Sequence, residues 1–452
     1  MADKNVREAA LDILLKIEEQ QSYSNLLLNR KLNEYKLDAR DAGLLTEIVY
    51  GTIQRKYTLD YYLGPFLKNP RKLDKWVLIL LRLSLYQMQY LDRVPERAVI
   101  HQAVEIAKKR GHRGISGMVN GVLRNIQRKG VPALEEISGP VKRLATATSH
   151  PEWLVSRWVE RYGFETTEQM CQTNLEAPPV TARVNVDRAT RDEVIAIMKE
   201  EGIEAEAGEL SDDAIRILKG NAAATSAFKN GLISIQDESS MLVARALDPR
   251  PDEAVLDSCA APGGKSTHIA ERMHNTGKVV SLDLHEHKVK LIQDQSERLG
   301  LSNIEAKALD SRKAGEAFHK ESFDRVLVDA PCSGLGVVRR KPDIKYSKQE
   351  KDIKRLADIQ LDILEAAAPL VKQGGTIIYS TCTVDEEENG ELVRTFLGRN
   401  EQFEFDESLI DRMPEKVKER FPDARGEIQL MPQHFGSDGF YIAALRKKVL
   451  PT

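Results

Sequence analysis

Apolar residues recur at helical spacing from residue 3 to residue 130. Val6, Ala10, Ile13 and Ile17 share one face, as do Leu78, Leu81, Leu85 and Met88. No strand alternation interrupts them. Turn signals at Gly64-Pro65, Asn69-Pro70, Val94-Pro95 and Gly111 separate the helices, predicting an all-helical domain over residues 1–140 that ends near Gly139-Pro140. Over 141–235 the pattern changes to linker helices, Pro178-Pro179, a short strand TARVNV, a helix over 191–201 and a strand over 231–236, which predicts a small α+β module. Across 236–452, apolar segments at 254–256, 279–282, 304–308, 325–328 and 376–379 alternate with helical stretches. That alternation belongs to an α/β, doubly wound parallel sheet, with 439–446 as a further antiparallel strand.

At 452 residues, the chain is long enough for two or three domains, each burying its own core, and 41% hydrophobic with 30% charged residues is the composition of a soluble globular protein. The first residues, MADKNVREAA, are polar, and the longest apolar stretch, 76–90, is broken by Arg82, so no membrane span is expected. Cys171, Cys259, Cys332 and Cys382 lie far apart, with neither disulfide nor zinc-site spacing, which fits a reducing cytoplasm and no bound metal. The net charge of −3 hides a segregation: residues 1–150 carry 25 Lys+Arg against 16 Asp+Glu, and the remainder carries 41 against 53. The excess is concentrated over 71–130, with 13 basic and 4 acidic side chains, the footprint that phosphate binding needs.

In a doubly wound sheet, ligands sit at the carboxyl ends of the strands. After 254–256 comes Asp257 and then CAAPGGKST, whose small residues let the backbone pass close to a ligand before a helix begins near Ser266. Gly264-Lys265-Ser266 imitates the end of a phosphate-binding loop, but that motif needs glycine five residues before Gly264, where Cys259 stands, and no G-x-G-x-x-G occurs. The next strand ends in Asp283, placed to accept hydrogen bonds from both hydroxyls of a ribose, and the following one closes on Asp310, within reach of an adenine amino group. The fourth strand runs into Asp329-Ala330-Pro331-Cys332 and the fifth into Ser380-Thr381-Cys382, so two cysteines top neighbouring strands. Methylation at carbon 5 of a pyrimidine gives two thiols separate tasks: a thiolate attacks carbon 6, and a second group removes the carbon-5 proton. Asp329 would raise a neighbouring thiol's pKa, so its expected role is hydrogen bonding to the cytosine edge.

These residues resemble the RNA 5-methylcytosine methyltransferases. The most specific pieces are 257–267, 329–336 with the following RRKPDIKY, and Ser380-Thr381-Cys382; together with the helical amino-terminal domain they are similar to the members of that family that act on bacterial 16S rRNA. The resemblance implies a Rossmann-like class I methyltransferase domain preceded by a NusB-like RNA-binding domain and a small α+β RNA-binding module. It implies that Cys259, Ala260, Ala261, Pro262, Gly263, Gly264, Lys265, Asp283, Asp310 and Asp329 line a pocket for S-adenosyl-L-methionine, that Cys382 attacks carbon 6, and that Cys332 assists release. Thr383 stands where the family often has Ser. The implied partner is 16S rRNA, naked or in an assembling small subunit, met by a cytoplasmic monomer. Arg110, His112, Arg113, Arg124, Arg128 and Lys129 are the phosphate-contact candidates. The alternatives are a methyltransferase acting on tRNA, protein or a small molecule, and a non-enzymatic RNA-binding ribosome assembly factor.

Overall fold

The computed structural model describes residues 5–20, 24–35 and 37–449. The chain forms two compact units: one runs up to Ala177 and includes Val338–Lys348, and the other comprises Pro178–Val337 and the chain from Gln349 onward. Among the described residues, no helix is long and apolar enough to cross a membrane.

The first unit contains helices and no strand among its described residues. Helix Lys75–Tyr90 is its hub: Val77 and every residue from Ile79 to Gln87 are buried, whereas Leu78 and Met88 lie at the edge of the packed surface. Arg82 can sit in that core because its guanidinium is fully paired. It grips both oxygens of Asp60 at 2.7 and 2.9 Å and one of Glu18 at 2.8 Å. The RRKPDIKY segment also belongs to this unit. Its Lys345 is buried, donates to the carbonyl of Gln54 at 2.9 Å, and has its pKa pushed well below the ordinary lysine range by desolvation.

The second unit opens with a four-stranded antiparallel sheet of β1 (Val180–Val184), β2 (Glu204–Ala207), β3 (Ala214–Lys219) and β4 (Ile233–Ile235), in the order β2-β3-β1-β4. Helix Arg191–Glu200, started by a Thr190/Glu193 capping box, supplies Val194 and Met198 to a core with Ala182, Val184, Ile215 and Ile233. The large sheet follows: β5 (Ala254–Asp257), β6 (Lys278–Asp283), β7 (Ile304–Ala308), β8 (Phe323–Asp329), β9 (Val371–Thr381), β10 (Phe403–Phe405), β11 (Glu427–Leu430) and β12 (Phe440–Lys447). Its order is β10-β12-β9-β8-β5-β6-β7, with β11 paired to β12. β5 to β9 pair with one another in parallel, and β12 is antiparallel to β9.

Alternate residues along the central strands enter two separate cores. Leu256, Val280, Val326, Val328 and Ile377 pack in one cluster, while Val255, Val279, Leu327 and Ile378 pack in the other. Both faces are therefore covered, which is why these strands read as continuous apolar runs. Strand order reverses between β5 and β8, which opens a crevice at their carboxyl ends.

Candidate active site

The loop after β5 begins with a fully buried carboxyl group. Asp257 Oδ2 accepts from Ser266 Oγ at 2.6 Å, whereas Oδ1 is buried with no hydrogen-bond partner. Burial raises this carboxyl to about 7. Gly263 has φ of +106°, and a Cβ there would stand 3.1 Å from the backbone of Ile292, so its missing side chain seats the loop on helix Glu286–Leu299. Nothing lies within 4 Å of a Cβ built on Gly264, which leaves open space at the start of helix Gly264–Arg272. Burial first, and then the charge on Asp257, push the Cys259 thiol up, so it remains protonated beside the loop.

Asp283 ends β6, its Oδ1 accepting from the His285 amide at 3.2 Å. Asp310 differs from it: both carboxylate oxygens are held by the Arg312 guanidinium at 3.0 and 2.6 Å, and Oδ1 also caps the short turn that follows. That pairing leaves Asp310 less able than Asp283 to recognise a further donor.

The two cysteines at the strand ends meet. Cys332 Sγ lies 3.3 Å from Cys382 Sγ, and both side chains are partly accessible. The turn after Cys332 is tied to β9 through the Gly336 amide, which donates to the Cys382 carbonyl at 3.0 Å. A Cβ on Gly336 would come within 2.0 Å of the Gly439 carbonyl, so only glycine permits this approach. Asp329 accepts from Ser380 Oγ at 2.8 Å through Oδ1 and pairs with Lys265 Nζ at 2.8 Å through Oδ2. Burial alone would push the Lys265 ammonium down, but Asp329, Cys382 and Asp257 together outweigh it and hold the pKa above the ordinary lysine value. Thus Lys265, grouped by sequence with the loop, reaches the aspartate of the other motif.

Sequence reasoning missed two residues that hold this arrangement. Arg183 on β1 is fully buried and pairs with both oxygens of Glu271 at 2.8 and 2.9 Å. It also donates to the Gly264 carbonyl at 2.9 Å and to Gln236. The loop's carbonyl is therefore held from the small antiparallel sheet. Glu388, also fully buried, accepts from the Ser333 amide at 2.7 Å behind Cys332. Arg183 stands among apolar strand residues, but Glu388 is the last of four consecutive acids, a pattern that in sequence reads as a solvated turn.

Residues 244–446 match the family described as 16S rRNA methyltransferase RsmB/F, 4–128 the NusB family, and 150–223 the RsmF/B-like ferredoxin-like domain. The probable ribosomal RNA small subunit methyltransferase B of Bacillus subtilis is 58% identical over 99% of this chain and 100% of its own length. The chain belongs to the ribosomal RNA small subunit methyltransferase B family. Its Synechocystis relative of the same description is 34% identical over 98% of this chain and 99% of its own. The crystal structure of PH0851 superposes with a TM-score of 0.82 at 27% identity, covering 99% of each chain.

In this rRNA methyltransferase the basic candidates lie in the NusB-family unit, on helix Arg113–Lys129 and on the residues that precede it. Arg113, Arg124, Arg128 and Lys129 are exposed. Arg110 is half-buried and ion-paired with Asp12, and His112 Nδ1 accepts from the Gly114 amide as a helix cap. The first four therefore offer more accessible charge than the last two.

The buried acid of the methyltransferase loop has a measurable consequence. A carboxyl whose folded pKa lies near 7 rather than 3.8 binds its proton more tightly in the fold, so stability is lost as pH rises from about 4 through 7. Asp257→Asn should abolish that loss. Its stability relative to the parent, measured by urea unfolding, is expected to rise by about 2–4 kcal/mol between pH 4 and pH 8. A gap that stays constant with pH would contradict the assignment.

Proposed function

We propose that this rRNA methyltransferase moves a methyl group from S-adenosylmethionine to carbon 5 of a cytosine in 16S rRNA, with Cys382 as the covalent nucleophile. The observation that carries the reading is the 3.3 Å approach of the Cys332 and Cys382 sulfurs beside the Lys265–Asp329 pair. Two thiols in contact at the ends of neighbouring strands suit a reaction that needs both a nucleophile and a base.

The loop residues fit the methyl donor. Asp257 Oδ1 is a buried acceptor lacking a donor, Gly264 faces open space, and Asp283 stands at the end of the adjacent strand as ribose recognition requires. S-adenosylmethionine supplies an electrophilic methyl group; the chain supplies the rest. Cys382 as thiolate bonds to carbon 6, pushing electron density into the ring so that carbon 5 becomes nucleophilic. Lys265 provides the cation that stabilises both this thiolate and the charge developing on the ring, and Asp329 orients the ring by hydrogen bonding to its polar edge. After transfer, Cys332 takes the proton from carbon 5 as the bond between carbon 6 and sulfur breaks, which regenerates the Cys382 thiolate. The net change replaces one ring hydrogen by methyl and releases one proton.

The target cytosine must be unstacked to reach this crevice, at a cost of a few kcal/mol. The exposed basic side chains of helix Arg113–Lys129 are suited to contacting RNA phosphates. Mapping 5-methylcytosine in rRNA and tRNA from cells with and without this chain tests the reading. One 16S position that loses its methyl group on deletion, and regains it on complementation, is the expected result. A loss confined to tRNA, or unchanged rRNA, would overturn it.

A further inference from the structure

Two chemically identical thiols 3.3 Å apart share a titration, and nothing in their own chemistry decides which becomes the nucleophile. The decision falls to their surroundings. Lys265 interacts electrostatically with Cys382, whereas Glu388 lies on the side of Cys332.

Glu388 closes the short turn Glu386–Glu388 that follows β9, and its side chain is completely buried. Its Oε1 accepts from the Ser333 amide at 2.7 Å and from Gln360 Nε2 at 2.9 Å, and its Oε2 accepts from Ser333 Oγ. Burial, the largest influence on this carboxyl group, raises its pKa above the ordinary glutamate value, and the donors from Ser333 and Gln360 oppose that shift by favouring the ionised form. The same glutamine donates to the Pro331 carbonyl at 2.9 Å, and Ser333 Oγ lies 2.8 Å from Thr383 Oγ1. Glu388 therefore holds Ser333 directly and Pro331 by way of Gln360, one on each side of Cys332, while Ser333 itself meets Thr383 next to Cys382. Tyr379 on β9 adds a hydrogen bond to the Glu388 carbonyl at 2.6 Å.

We propose that Glu388 is the positioning residue that makes the two thiols unequal: its carboxylate ties the 331–333 segment to the Glu386–Glu388 turn and keeps negative charge on the Cys332 side, so the thiolate forms at Cys382. The inference rests on the two-thiol reading above and adds the group that sets the order of events. The groups facing Cys332 are the Cys382 thiol, the Glu388 carboxylate, the Tyr379 hydroxyl and the Gly334 amide, and among these only the amide favours a Cys332 thiolate. The contact with Cys382 pushes the Cys332 thiol up most, followed by burial and then by the charges on Cys382 and Glu388. Once Cys382 is bonded to the ring, its contribution disappears. Cys332 can then release its proton to solvent and accept the one on carbon 5, still as a strong base because Glu388 stays beside it.

Cysteine alkylation tests this without RNA or methyl donor. In the full chain carrying Cys382→Ala, iodoacetamide modification at Cys332, read by mass spectrometry of its peptide across pH 6 to 11, should have a midpoint above the free-thiol value of about 8.5. Adding Glu388→Gln should lower that midpoint by about one unit, roughly a tenfold faster reaction at a fixed pH below it. A midpoint at or below the free-thiol value in Cys382→Ala overturns the proposal, and that measurement stands even if the Glu388 variant does not fold. So does a midpoint unmoved by a folded Glu388→Gln. Ser333→Ala removes the hydroxyl arm of the tether and leaves the amide bond and the charge in place: the Cys332 midpoint should hold while kcat falls about tenfold and KM for the methyl donor stays constant. Full turnover in Ser333→Ala overturns the tethering role. Failure of the underlying two-thiol reading would look different, as undiminished methyl transfer in Cys382→Ala itself.

Discussion

Cys382→Ala is expected to lower methyl transfer by at least about four orders of magnitude, because the remaining thiol, Cys332, is held protonated and serves as the base, not the nucleophile. Cys332→Ala should behave in the opposite way at the level of the adduct. Attack and methylation remain possible, but the carbon-5 proton has no acceptor, so protein stays bonded to RNA. On a denaturing gel with target RNA and methyl donor, Cys332→Ala should give a slow-migrating band, Cys382→Ala none, and the double variant none. The 3.3 Å separation of the sulfurs is what makes the pair of outcomes specific, since both must reach the same ring. Equal turnover in Cys382→Ala, or a band in the double variant, would sink the scheme.

The second large effect concerns a residue far from either cysteine in sequence. Arg183→Leu strands the Glu271 carboxylate in the interior of the second unit, and breaking a buried ion pair from one side costs about 3–5 kcal/mol. Chemical unfolding should read that loss directly. Combining Arg183→Leu with Glu271→Leu removes the unpaired charge and should recover most of the stability. The Gly264 carbonyl, however, loses its guanidinium donor in both variants and keeps the longer bond from Thr267 Oγ1. Calorimetric affinity for S-adenosylmethionine is therefore expected to stay weakened in the double variant although stability returns. If affinity recovers along with stability, Arg183 acts on the fold alone and not on the loop.

Much of the fold was legible because parallel strands covered on both faces must be apolar along their whole length. Segments such as 254–256 and 325–328 announced themselves for that reason, and β5 and β8 extend them by only a few residues. Strands β2, β3, β10 and β11 were not read. β2 is EAEA, an edge strand whose side chains are mostly exposed, so it carries no apolar signal. β10 and β11 are three and four residues long, too short for a period to register. The two cysteine motifs and the acids closing β6 and β8 were legible as a set, since strand ends are where a doubly wound sheet collects ligands.

The sequence by itself determined which residue types stand at the strand ends, and hence that two thiols, an aspartate and a small-residue loop would gather in one crevice. It did so because hydrophobic period and turn chemistry are local. Only the tertiary structure decided that the sulfurs touch, that Lys265 crosses to Asp329, and that Arg183 and Glu388 are interior. It also decided that Val338–Lys348 joins the helical unit and not the sheet that precedes and follows it. Charged side chains look alike in sequence whether solvated or buried; what separates them is the partner that repays desolvation, and that partner lies 88 residues from Arg183 and 55 residues from Glu388.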